Sequence, residues 1–195
     1  MNKPLNAMSL AELWQLFPIK LTAPNPRWPQ WYQREARLLR AFLPGESIAL
    51  HHIGSTAIPD IWAKPIIDVL LATADEAALQ RVGARLLRHG YLLMSASARR
   101  QSLNKGYTPR GFGARVFHIH LRLPGDNDEL YFRDYLREQP AVARAYERLK
   151  LELWRRYEHD RDGYTAAKGA FISHYTALAK ARYGNRYGPL TFIQT

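Results

Sequence analysis

Two short runs concentrate the residue types able to do chemistry. His52-Ile53-Gly54-Ser55-Thr56-Ala57-Ile58-Pro59 reads as a strand end followed by a Gly-Ser turn. Lys64-Pro65-Ile66-Ile67-Asp68-Val69-Leu70-Leu71 reads as a second strand, apolar on both faces except at Asp68. A buried, unpaired carboxylate costs several kcal/mol, so Asp68 must be paired, protonated or bound to a cation. The turn just upstream offers backbone N–H groups and a hydroxyl, which suit a phosphate. A phosphate cradle beside a lone strand carboxylate is the arrangement used when metal ions bridge carboxylates and phosphates during group transfer. The competing reading is structural: a turn capped by Ser55 or Thr56, and a carboxylate neutralised by Lys64 or an arginine.

A second constellation lies downstream. Arg115 to Leu123 alternates with period two, so Phe117, Ile119, Leu121 and Leu123 face one way and Val116, His118, His120 and Arg122 the other. Two imidazoles on one strand face converge on one metal ion or one phosphate. With Asp68 they would form a donor set suited to zinc, manganese or iron more than to magnesium. Without a metal they would be a hydrogen-bonded pair lining a cleft. His51 and His52 point to opposite faces, and His52 is expected to pack under the Gly-Ser turn. Trp28, Trp31 and Tyr32 have helical spacing, which favours core packing over a base-stacking platform.

The elements that must hold these groups are legible in outline. Ser9-Leu10-Ala11-Glu12 has the capping-box pattern and opens a short helix that Pro18 stops. Pro29 suits the first turn of a helix running to about Phe42. Strands are expected over 47–53 and 65–72, a helix over 75–89 closed by Gly90, and a short strand over 91–94. Residues 95–113 contain Gly106, Pro109, Gly111 and Gly113, which predicts a mobile basic loop or a hairpin. Helices are expected over 128–138, 140–159 and 163–183. A mixed β-sheet flanked by helices, with a helical C-terminal part, is an α+β architecture. The expected divisions are 1–27 (helix and connector), 28–125 (α/β core) and 126–195 (helical part packed on the core), in one compact domain.

The ordered set of motifs resembles the GrpB protein family, of nucleotidyltransferase superfamily fold. The resemblance runs from about Trp28 to Ala181. It rests on Trp28 with Glu35, His52 to Thr56, Ala63 to Asp68, His118 to Leu121, Phe132 to Arg137, Tyr146 to Lys150 and Tyr164 to Lys168. It implies a nucleotidyltransferase-like mixed sheet and a nucleotide or similar phosphorylated ligand. It implies that Gly54, Ser55 and Thr56 hold phosphate, that Asp68 binds metal or acts as base, and that His118 and His120 stand where a later strand supplies a further ligand. Magnesium, manganese or zinc is the expected cofactor. Arg133 and Arg137 share one helix face, as do Tyr164 and Lys168, with Lys150 on the helix between them. With Lys64, and with Lys105 in its glycine-flanked segment, these groups would neutralise phosphate charge. Without the resemblance, the helix cations read as interhelical salt bridges with Asp134, Glu138, Glu147 and Glu152.

One departure divides the functional readings. Nucleotidyltransferases carry two acidic residues separated by one position; here the second position is Leu70. Transfer of a nucleotidyl or phosphoryl group to a small acceptor is one reading. A non-catalytic ligand-binding or accessory module is the other, and the resemblance extends to chains fused to a coenzyme A biosynthetic kinase.

Composition bounds the rest. The chain has 195 residues, 47% of them hydrophobic, enough for one core. There is no cysteine, which removes disulfides and thiolate metal sites. No run approaches the ~20 apolar residues of a membrane span, and no secretory signal pattern opens the sequence, so a cytoplasmic protein is expected. The formal charge is +11. From Ala77 to Gly125 no acidic residue occurs, while Arg81, Arg85, Arg88, Arg99, Arg100, Lys105, Arg110, Arg115 and Arg122 do. Such a field draws phosphorylated small molecules or nucleic acid. No RNA-binding motif accompanies it, so RNA ranks last among the partners.

Overall fold

A computed structural model describes residues 3–188; residues 189–195 of the expected C-terminal part lie outside it. The described chain is α+β. Helices α1 (Leu10–Leu16) and α2 (Trp28–Phe42) precede strand β1 (Ile48–Ile53), a 3-10 turn (Ser55–Ala57), and β2 (Ile66–Thr73). Then come α3 (Glu76–Arg88), β3 (Leu92–Ala96), β4 (Arg100–Thr108) and β5 (Gly111–Arg122). Four helices follow: α4 (Asp128–Glu138), α5 (Pro140–Arg156), α6 (Arg161–Ala167) and α7 (Gly169–Tyr183).

The five strands form one sheet in the order β1-β2-β5-β4-β3. Strands β2 and β5 run parallel, with Asp68 beside His118 and Leu70 beside His120; the other pairs are antiparallel. Strand alternation then fixes the two faces. Ile67, Val69 and Leu71 of β2 and Phe117, Ile119 and Leu121 of β5 join the main core with Trp28 and Leu39 of α2 and Leu79, Val82 and Leu86 of α3. The opposite face carries Asp68, Leu70, His118 and His120, and α4 to α7 fold over part of it. Leu70 packs with Ile53, Ala72 and Leu130, while Ile58 and Ile61 pack with Phe132, Leu136 and Tyr146.

Local signals explain the element ends. Ser9 and Glu12 make both hydrogen bonds of the capping box, and Asp75 caps α3 by accepting from the Ala78 N–H. Of the two expectations for residues 95–113, the hairpin is the one observed: they supply most of the β4–β5 hairpin, and Gly106 and Gly113 lie inside its strands. One expectation needs correction. The single helix expected over 163–183 is two helices, broken at Lys168 ahead of Gly169. Glycine is a poor helix former, and the break turns Lys168 toward the sheet.

Candidate functional site

Gly54 follows the last residue of β1 with φ +69, and a Cβ there would collide with the Asp68 carboxylate. Only glycine accepts both the left-handed backbone and that close approach. The Gly-Ser turn is therefore built directly against Asp68. Thr56 clips the turn from behind: its hydroxyl donates to Ile66 O at 3.0 Å and accepts from His52 Nε2 at 3.0 Å. His52 stacks on Tyr32, with ring centroids 4.9 Å apart. Burial pushes the His52 imidazole down to about 4, so it packs beneath the turn as a neutral donor.

Asp68 faces a cleft of about 720 Å³. Its Oδ1 lies 3.3 Å from His118 Nδ1 and 3.2 Å from His120 Nε2. One oxygen and two nitrogens thus fall within 4.8 Å of one another, close enough to share a cation. Burial opposes ionisation of Asp68, but hydrogen bonds from both histidines outweigh it and hold the carboxyl well below the usual range. Burial lowers the pKa of His118 and so favours its neutral imidazole, the form a metal requires. One carboxylate with two imidazoles fits zinc, manganese or iron; magnesium prefers oxygen alone.

A second group of cations meets the same cleft. Lys64 follows the turn, Lys150 projects from α5 and Lys168 from the α6–α7 break. The Lys168 ammonium sits 4.0 Å and that of Lys64 5.3 Å from the Tyr164 ring centroid; Lys150 sits 4.9 Å from that of Tyr146. Lys150, 2% exposed, donates to Trp62 O, and Glu147 one turn earlier accepts from Trp62 N–H at 2.6 Å. Burial, with repulsion from Lys64, pushes Lys150 down to about 7; burial and both other lysines push Lys168 to about 7. Lys64, near Arg161, falls to about 8 for the same reasons. Ser55 lines the cleft opposite these groups and hydrogen-bonds to Tyr146, whose phenol burial raises to about 12.

The remaining sequence-stated positions divide. Arg133 lines the cleft, but its guanidinium donates to His52 O at 2.9 Å, Asp134 at 2.7 Å and Tyr187 Oη at 3.2 Å. It staples α4 to β1. Arg137 donates to Ala57 O at 2.8 Å and lines a separate pocket behind the turn. Lys105 is a strand residue on the opposite face, paired with Glu35 at 2.9 Å; strand parity carries it away from the cleft. Trp28 is core. Arg161 and Tyr107 were not singled out by sequence. Tyr107 Oη lies 2.8 Å from His118 Nε2 and accepts from Arg161 Nη2 at 3.2 Å. The glycine-flanked segment masked Tyr107, and Arg161 has no pattern to mark it.

Arginine, lysine and hydroxyl donors stand around one end of the cleft, with a carboxylate–imidazole trio at the sheet. The arrangement can hold an anionic group and a divalent ion side by side.

Comparison with known proteins identifies relatives in sequence and in fold. The chain is 32% identical to the conserved protein GrpB of Enterococcus faecalis; the match covers 84% of this chain and 99% of that one, with a TM-score of 0.72. It is 37% identical over 170 residues to a UPF0157 protein of Pseudomonas aeruginosa, covering 85% of this chain and 70% of that protein. The fold is also shared with the poly(U) polymerase Cid1, solved with the UTP analog UMPNPP, at a TM-score of 0.51 and 12% identity over 81% of this chain and 50% of that one. The model of the family described as GrpB protein matches residues 18–178, and the chain belongs to that family.

Proposed function

We propose that the cleft binds a nucleotide or related phosphorylated molecule and transfers a nucleotidyl or phosphoryl group from it to a small acceptor. The observation that carries this reading is the meeting of Lys64, Lys150 and Lys168 with Asp68, His118 and His120 in one cleft. Burial disfavours the charge of each lysine, as does repulsion from Arg161 on Lys64, from Lys64 on Lys150 and from both other lysines on Lys168, so an anion in the cleft would favour their charged forms. Gly54 and Ser55 line the same space, Ser55 with its hydroxyl bonded to Tyr146. A divalent ion held by Asp68, His118 and His120 would polarise a phosphoryl oxygen. The protein's own part is to position the phosphates between Lys64, Lys150, Lys168 and Arg161, and to neutralise charge that develops on them. Tyr146 and Tyr164 wall the cleft and limit water around the lysines.

Leu70 supports a second reading. It is fully buried among Ile53, Ala72 and Leu130, so the second carboxylate of a two-metal site has no counterpart there. Under this reading the cleft binds the same ligand class and transfers nothing.

Calorimetry with the four nucleoside triphosphates, each with manganese, zinc or magnesium, tests binding; release of pyrophosphate or diphosphate tests transfer. We expect micromolar to millimolar dissociation constants and turnover that Asp68→Asn abolishes. Binding without release for every nucleotide and metal leaves the accessory reading. No binding removes both.

A further inference from the structure

We propose that Tyr107 is a positioning residue that sets which nitrogen of His118 carries its proton, and that a break in the β4–β5 ladder exists to put it there. Alternation along β4 places Ser102 and Asn104 on the cleft face, opposite His120 and His118. It places Leu103 in the main core and Lys105 against Glu35, on the other face. By parity Tyr107 belongs with Lys105 and away from the cleft. The ladder, however, jumps from Lys105–Phe117 to Tyr107–Phe112. Gly106 sits at the jump with φ +92, packed so tightly on Arg115 O that a Cβ would not fit. Such irregularities re-aim single side chains. Here the result is a phenol that crosses to the cleft face and meets His118, its ring held by Phe17 and Phe112 at 4.7 and 5.3 Å.

The direction of the hydrogen bonds follows from donor chemistry. Arg161 can only donate, and it donates to Tyr107 Oη. The tyrosine proton is then free to go to His118 Nε2. An imidazole that accepts at Nε2 carries its proton at Nδ1, the nitrogen 3.3 Å from Asp68 Oδ1. Every group in the chain Arg161–Tyr107–His118–Asp68 is satisfied in this one polarity. Reversing it leaves the Tyr107 proton without a place in the chain. A divalent ion held by His118 Nδ1 would require the ring proton at Nε2; Tyr107 Oη would then accept from it as well as from Arg161, with its own proton turned out of the chain, and would serve as the outer-shell partner that fixes the ring's orientation.

The ion-binding half of this inference rests on the proposed function; the proton-placement half does not. The test is Tyr107→Phe, which keeps the ring packing and removes the hydroxyl. Long-range proton–nitrogen NMR of the metal-free full chain reads the His118 proton directly. We expect a protonated Nδ1 in the wild type and a mixed or reversed tautomer in the variant, with an unchanged circular dichroism spectrum. An identical His118 tautomer in both proteins overturns the proposal. Cobalt(II) titration followed by visible absorbance adds a second readout, in which Tyr107→Phe is expected to weaken cobalt binding tenfold or more. Equal cobalt affinity overturns the ion-binding half. Absence of any cobalt site in the wild type, with the tautomer change still present, removes the ion from the proposed function and upholds the placement of the His118 proton by Tyr107.

Discussion

Two sequestered carboxylates stand on opposite faces of the sheet, and their partners differ. Glu35 of α2 is 3% exposed and lies against the main core. It accepts from the Tyr91 hydroxyl and pairs with Lys105. Those partners are fixed: a phenol whose acidity burial and Glu35 suppress, and an ammonium on a paired strand. Asp68, beneath the Gly54 turn, has two imidazoles as its ion-pair partners among the described residues, at 3.3 and 3.2 Å, and an open cleft in front. Imidazole is a partner that exchanges a proton for a metal ion. The first carboxylate is locked into the architecture, while the second is held ready for exchange.

The largest effect should come from forcing a carboxylate where neither solution exists. Leu70→Asp places one among Ile53, Ala72 and Leu130. It should cost about 4 kcal/mol or more, or prevent folding, because an ion there has no partner. Urea denaturation measures it, and a loss below about 1 kcal/mol would show that the cleft reaches position 70.

Breaking the two carboxylates separately is the direct contrast. Glu35→Ala strands Lys105 and should cost about 3 kcal/mol, with metal and nucleotide binding retained at temperatures where the variant is folded. Asp68→Asn removes a carboxylate that the histidines hold ionised, so it should cost about 1–2 kcal/mol, less than Glu35→Ala, and abolish cobalt binding. Equal stability losses in the two variants would erase the distinction.

Gly54→Ala should cost about 2 kcal/mol, from the left-handed backbone and the lost clearance over Asp68. Its cobalt affinity should fall with that of Asp68→Asn. Intact affinity would mean that the turn and carboxylate are independent.

The subtlest effect is pH dependence from the lysines. Lys150 and Lys168 sit at about 7 in the folded chain, well below the ordinary lysine value of about 10.4. Between these limits the unfolded chain holds lysine protons that the folded chain has released, so their contribution to stability rises with pH across that window. Binding runs the other way. Pyrophosphate should bind best below pH 7 and weaken by about tenfold per pH unit above it for each lysine that must be charged. Calorimetry at pH 8 in buffers of different ionisation enthalpy should show proton uptake on binding; none would mean the lysines are charged before the anion arrives.

Much of this was legible in the sequence because it rests on local rules. The Ser9 capping box, the Pro29 start, the alternation of 115–123 and the lone Asp68 each have a short-range physical cause. Strand parity also put His118 and His120 on the face away from the core, as the sheet has them. What stayed hidden depends on pairing across distance. Gly106 and Gly113 left a loop and a hairpin both open, because glycine is the usual sign of a turn, yet a ladder break uses it too. Lys105 then read as a free cation, since nothing near it in sequence reveals Glu35 across the sheet. Tyr107 was invisible for the same reason: alternation points it the wrong way, and only the ladder break reverses it. The break at Lys168 falls in a run that reads as continuous helix.

The parallel pairing of β2 with β5 has a consequence for how the protein comes into being. Asp68 and His120 are 52 residues apart, and α3, β3 and β4 are made between them. The β1–β2 and β4–β5 pairs close short loops and are the quicker contacts, whereas joining β2 to β5 carries a larger loop-closure cost and comes late. During synthesis the carboxylate leaves the ribosome long before its imidazoles do. The ion proposed for this trio could be held only once the two halves of the sheet have joined, so its uptake would report the last step of folding.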